Sequence, residues 1–367
     1  MKTGAKRILI LTTGKGGGHK SSSDAIKSAL LRLDPAVDVN AYDAMAFMPG
    51  YTGDETGYIT FTTRYRFFWK CFFELSSRFK GISNHILAKP IYKRFCKLID
   101  TYKPDVILSV HPCFVGSVTL CLKKRGAGIP VYTCIIDLVK HSRLWHDKGC
   151  AMTFVPTAAM RQALLAEGFS KDRVLYTGFP VSEKYDEAHK KPRADIDTPH
   201  VLMVNPSLKG NRATGELIAA ALEHRAEVTV VTGSNKGLKN YLDTKLANAE
   251  NVTVLGYVRD LDERLARADV LVAKAGPNMI LEAVKMCVPV LITGHIPGQE
   301  EQNYRYIVEN GYGIKCESPK ELSGALDRLF ANNYELLKTY SCNEQGCTDV
   351  SGAEVVARQL LEALSIL

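Results

Sequence analysis

The order of elements constrains this chain more than any single residue does: short apolar runs stopped by glycine are followed, repeatedly, by segments with helical periodicity. Arg7 to Thr12 (RILILT) is the first such run, and a helical pattern through Ala25, Ile26, Ala29 and Leu30 follows it. Further strands are expected at 37–42, 106–110, 131–136 and near Val174, with a long helical region from about Tyr58 to Tyr102 and helices between the later strands. Parallel neighbours need a crossover, which a helix supplies, so this alternation predicts a parallel α/β sheet.

Between Gly178 and Pro199 the chain turns polar, with Pro180, Pro192, Pro199 and the run HKKPRADID, as suits a linker between domains. A second α/β series then begins, with strands expected at 201–204, 228–231, 252–255, 270–273 and 288–292. A length of 367 residues also exceeds what one core usually serves. The expected organisation is an N-terminal Rossmann-like domain over 1–185, a second over 186–350, and a terminal helix over 351–367 that can cross back to the first. Two doubly wound domains in tandem would face a central cleft, where the carboxyl ends of such sheets bind ligands.

Composition narrows the function. The apolar share of 46% and charged share of 23% are those of a globular protein. No run approaches the roughly 18 uncharged residues of a membrane span, and Met1 to Lys6 before one short strand is no signal peptide, so a cytoplasmic protein is expected. The ten cysteines are scattered without a CxxC pair and read as reduced packing residues. The net charge of +8 favours anionic partners: nucleic acid, anionic lipid or phosphorylated substrates. No zinc-finger, basic-zipper or RNP-like segment is present, which places nucleic acid behind the other two.

The loop TTGKGGGHKSSS puts Gly14, Gly16, Gly17 and Gly18 just before a helix, so backbone amides can approach an anion closely. His19, at the helix start, can as a neutral ring take a proton from an acceptor hydroxyl. The plainer alternative is a glycine turn with a capping histidine. GKGGGHKS also nearly spells the phosphate loop GxxxxGK[ST], and VYTCIID ending at Asp137 is similar to a magnesium-binding strand. Against an NTPase, His19 stands at the final glycine position, where a side chain would crowd the phosphates. Asp137 follows a buried apolar strand, and could orient His19 or act as the base itself.

The second half carries KAGPNMILEA (274–283) after a strand, then VPVLITGHIPGQEEQN (288–303). This spacing of strand, AGP, helix with Glu282, strand and PGQExxN resembles the donor-binding half of the monogalactosyldiacylglycerol synthases and bacterial diacylglycerol glucosyltransferases, enzymes of the GT-B fold. The GGGH loop, YKPDVI (102–107), IIDLVKHSRLW (135–145), LYTGFPV (175–181) and VLGYVRD (254–260) fall in the same family's order, so the resemblance covers nearly the whole chain. It departs from the family at Asn278 and Met279 after AGP and at NPSLKGN (205–211), where Lys209 and Gly210 could compensate with charge and a free amide.

The resemblance implies that Gly276, Pro277, Asn278 and the amides after them hold a UDP diphosphate at a helix N-terminus without a metal, assisted by Gly17 and Gly18. It implies that Glu282 accepts from the ribose hydroxyls, that Gly298, Gln299 and Glu300 meet the donor sugar with Asn303 in support, and that Tyr257 and Val258 read the uracil edge. Plainer alternatives are a solvated Glu282 on an exposed helix face and a simple acidic helix start at PGQEEQ. Trp145 matches a family aromatic near the acceptor site.

Tyr58, Phe61, Tyr65, Phe68, Phe72, Leu75 and Phe79 recur at intervals of three and four and form one helical stripe, widened by Phe67, Trp69 and Phe73 and accompanied by Arg64, Arg66, Lys70, Arg78 and Lys80. The stripe suits either an anionic membrane interface, with Phe68, Trp69 and Phe72 as acceptor-side contacts, or packing on the domain's own sheet. The expected activity is inverting transfer of glucose or galactose from UDP-glucose or UDP-galactose to the 3-hydroxyl of diacylglycerol, at the inner membrane face, with no cofactor and no nucleic acid. The competing expectations are an N-acetylglucosaminyl transferase on a polyprenyl-linked precursor, a UDP-sugar epimerase, and a nucleotide-sugar sensor.

Overall fold

A computed structural model describes residues 5–14, 18–48, 80–139, 141–186, 196–296 and 300–366. The chain forms two compact units, Met1–Ser182 with Asp349–Leu367, and Glu183–Thr348.

The first unit runs β1 (Arg7–Thr12), α1 (Gly18–Leu33), β2 (Asp38–Asp43), α2 (Lys80–Tyr102), β3 (Val106–Ser109), α3 (Gly116–Arg125), β4 (Val131–Cys134), β5 (Met152–Val155), α4 (Ala158–Ala166) and β6 (Val174–Tyr176). Its sheet is parallel throughout, in the order β2-β1-β3-β4-β5-β6. Strands covered on both faces must be apolar along their whole length, and Ile8 to Leu11 and Val106 to Leu108 are fully buried. Leu9, Leu11, Phe47, Ile91, Phe95, Ile107 and Phe114 form one core beneath the sheet. The expected strand at 131–136 ends at Cys134, and β5 was not anticipated from the sequence.

The second unit runs β7 (His200–Val204), α5 (Asn211–Leu222), β8 (Glu227–Val231), α6 (Lys236–Lys245), β9 (Val252–Leu255), α7 (Leu261–Arg267), β10 (Val270–Lys274), α8 (Pro277–Lys285), β11 (Val290–Gly294), α9 (Asn303–Glu309), β12 (Gly313–Lys315), α10 (Pro319–Phe330) and α11 (Glu335–Gln345). Its order is β12-β11-β10-β7-β8-β9, again all parallel. The three-residue β12 is the strand here that periodicity did not reveal, and β11 begins at Val290 rather than at 288. Local chemistry agrees with the fold: Ser318 and Glu321 cap α10 reciprocally, each side chain bonding the other's backbone N–H.

The terminal helix α12 (Gly352–Ile366) packs on α1 in the first unit, where Arg32 Nη2 meets Glu354 Oε2 at 2.6 Å. Its first residue must be small, because a Cβ at Gly352 would lie 2.1 Å from the Gly178 carbonyl oxygen.

Candidate active site

In the first sheet the chain places β2 on one side of β1 and β3 on the other, so the connection reverses between β1 and β3. Ligands of doubly wound sheets bind at such a reversal, beyond the carboxyl strand ends. His19, the second residue of α1, lies there. Thr12, ending β1, donates its hydroxyl to the His19 carbonyl at 3.0 Å. The His19 ring places Nδ1 2.7 Å from the carbonyl oxygen of Val110, just beyond β3. A carbonyl only accepts, so Nδ1 carries the hydrogen and the neutral ring leaves a lone pair on Nε2. Burial lowers the pKa of His19 to about 4, against the opposing effect of the Val110 bond, so the ring is neutral at physiological pH.

Around His19 stand two further rings. His111 lies 4.6 Å away between centroids and Trp145 5.9 Å away. The Nδ1 of His111 accepts from the Cys113 N–H at 3.3 Å, which puts its hydrogen on Nε2. Burial first, and His19 second, hold the His111 pKa well below the usual imidazole value. Trp145, 1% exposed, donates its indole N–H to Asp137 Oδ2 at 2.6 Å. The oxygen that orients His19 is thus the Val110 carbonyl, and Asp137 receives the indole. Thr133 fixes the Trp145 carbonyl at 2.9 Å, and Ser142 caps the short turn on which the indole stands. The pocket therefore offers a proton acceptor, an N–H donor, an indole and a buried carboxylate. Sequence reasoning missed His111, whose signal was its place directly after an apolar strand.

In the second sheet the reversal falls between β7 and β10. Both strands feed helices whose N-caps make no side-chain bond: Gly210 before α5 and Gly276 before α8, with Pro277 at the first helical position. Gly210 has φ 98°, a conformation that favours glycine. Such helix starts leave backbone N–H groups and the positive dipole end for an anion. Asn278 is in the first turn of α8, and Lys209 Nζ reaches the Glu317 carbonyl at 3.4 Å.

Lys274, the last residue of β10, was not singled out from sequence, yet its ammonium would lie 3.0 Å from a Cβ placed at Gly276. It pairs with Glu300 Oε1 at 2.6 Å, while Glu300 Oε2 accepts from the Ile296 N–H at 2.9 Å. The readable signal was a lysine closing a buried strand immediately before a glycine turn. Asn303 donates to the Ala275 carbonyl at 2.9 Å and so braces the same turn. Glu282 is 6% exposed, not on a solvated face, and lies beside the Tyr185 phenol, whose pKa is raised by burial first and then by that carboxylate. Tyr257, past the end of β9, is 75% exposed, with Val258 next to it.

Gly17, Gly298 and Gln299 lie outside the described residues, as do Phe68, Trp69 and Phe72 of the aromatic stripe. The three-and-four spacing continues into α2 with Ile82 and Ile86, 62% and 66% exposed. Among the described residues, no helix is long and apolar enough to cross a membrane.

Residues 19–181 match the family model described as monogalactosyldiacylglycerol (MGDG) synthase, and residues 203–332 the one described as glycosyl transferases group 1. The chain is 28% identical to monogalactosyldiacylglycerol synthase 3, chloroplastic, of Arabidopsis thaliana, over 92% of this chain and 77% of that protein. It is 26% identical to the processive diacylglycerol beta-glucosyltransferase of Staphylococcus aureus (strain Newman), over 99% of this chain and 94% of that protein. The crystal structure of Acinetobacter baumannii MurG superposes with a TM-score of 0.61 at 13% identity, covering 97% of this chain and 99% of that one.

Proposed function

Because the chain joins a monogalactosyldiacylglycerol synthase domain to a group 1 glycosyltransferase domain in the GT-B fold, we propose that it transfers glucose or galactose from a UDP-sugar to the 3-hydroxyl of diacylglycerol, with inversion. The observation that carries this reading is His19, a neutral ring held by the Val110 carbonyl with its Nε2 lone pair available. In the proposed step the acceptor hydroxyl attacks the anomeric carbon as Nε2 takes its proton, and the bond to UDP breaks with the electron pair leaving on the diphosphate. In this reading the indole of Trp145 and the carboxylate of Asp137 would line the acceptor's approach, and the N–H of His111 would hold a second acceptor oxygen.

The departing UDP is held in the second domain by the backbone amides that follow Pro277 and by the Lys274 ammonium, so that this reading requires no metal. Glu282 would take the ribose hydroxyls in place of the Tyr185 phenol, and Glu300 with Asn303 would meet the sugar. The exposed Ile82 and Ile86 of α2 would meet an anionic bilayer at the inner membrane face.

The test is UDP release by the purified protein from UDP-glucose, UDP-galactose and UDP-N-acetylglucosamine, each with and without diacylglycerol in anionic vesicles. Lipid-dependent release with one hexose donor is expected and names the sugar. Release from UDP-N-acetylglucosamine alone, or donor binding without any lipid-dependent release, would overturn the reading.

A further inference from the structure

Away from the His19 pocket, the loop from β4 to β5 brings together three side chains with metal-ligand chemistry. His141 and His146 flank the short turn Arg143–Trp145, and Glu167 follows the last residue of α4. Their ligand atoms all lie within 4.8 Å of one another. We propose that His141, His146 and Glu167 bind a divalent transition metal, zinc being the ion that the donor set suits best.

The distances carry the inference. Glu167 Oε1 lies 3.8 Å from His141 Nε2, and its other oxygen, Oε2, lies 3.5 Å from His146 Nε2. A direct N–H···O bond closes to about 2.9 Å. Ligands about 2.0–2.1 Å from a shared tetrahedral ion stand roughly 3.3–3.5 Å apart, nearer these two N···O spacings, and the three ligand atoms, within 4.8 Å of one another, would draw in around the ion. The carboxylate addresses a different oxygen to each ring, as a group does when it turns toward a point between them. Two imidazoles and one carboxylate suit zinc among the first-row ions, and leave a fourth position for water. The histidine side chains are 7% and 3% exposed and that of Glu167 is 27% exposed, so two ligands are inside and one is at the rim, where an ion can arrive. Arg143 Nε, 3.5 Å from Glu167 Oε2, is the competing cation, but its side chain is 55% exposed and can swing into water.

The ion would clip the loop to the end of α4. Trp145 precedes His146 directly, so the clip holds the indole that bonds Asp137 and faces His19. The role is positioning, with no chemistry at the metal, and the site does not depend on the proposed transfer reaction.

The experiment strips the full-length protein with chelator and titrates it with zinc by calorimetry, then with cobalt followed by visible absorption. One ion per chain with tetrahedral cobalt bands is expected. Glu167→Gln, at the rim, and His141→Gln should each weaken zinc binding at least about 10-fold while thermal melting remains cooperative. In a Trp69→Phe background, zinc should also change the Trp145 fluorescence. Failure to bind zinc, or equal affinity in both variants, would overturn the proposal and leave an ion pair only.

Discussion

The two sheets share a topology and use it in opposite ways. In the first, the space beyond the strand ends is filled by side chains: His19, His111 and the pair Asp137 and Trp145 come from three different connections and desolvate one another. In the second, the corresponding space is bounded by backbone, at the uncapped starts of α5 and α8, with Lys274 as a fixed charge beside them. Burial is what makes an imidazole a base that is free of its proton at neutral pH, whereas an anion needs exposed amides and a cation. One fold therefore holds a buried neutral imidazole in one copy and uncapped helix starts beside a lysine in the other.

The sharpest way to break this comparison is His19→Ala. If proton removal resides in the first domain, the rate should fall about 10²- to 10⁴-fold while UDP affinity by calorimetry is unchanged. The acidic limb of the wild-type pH profile belongs to the same ring. Because burial places its pKa at about 4, the lone pair is present throughout the neutral range, and the rate is lost only as pH falls toward that value and Nε2 is protonated. A limb at the ordinary imidazole position would mean that the ring is hydrated in the working enzyme. Next in size is Lys274→Met, which should weaken UDP about 10- to 100-fold by removing a charge-assisted contact, yet leave uridine binding nearly unchanged. Equal losses for both ligands would mean that the lysine only supports Glu300. The smallest effect is expected for Lys209→Ala: its amine makes one long bond to the Glu317 carbonyl, so UDP affinity should drop about 2- to 3-fold. An unchanged value would remove the NPSLKG loop from the anion site.

The sites were unequally legible. His19 stood out because glycines before a helix mark a close backbone approach whatever the rest of the chain does, and Gly276 through the family resemblance. Lys274 and His111 did not, since the place of a lysine or histidine at the end of an apolar strand is a weak signal whose meaning depends on which strand lies alongside. Glu282 was expected against either ribose or solvent; Tyr185, nearly a hundred residues earlier, covers it in the structure. The strands β5 and β12 also escaped notice.

What could be read along the chain was whatever periodicity and glycine punctuation express locally: parallel α/β units in two series, and the loops where their ligands belong. Tertiary structure alone decided that β1 and β3 become neighbours, so that the Val110 carbonyl selects the tautomer of a histidine 91 positions earlier. It fixed α1 as the helix on which the returning α12 packs, and it alone gathered two histidines of one loop around a glutamate at the end of a helix. These relations depend on distances in space between residues far apart in sequence, and chain connectivity does not encode such distances until the sheet has set its strand order.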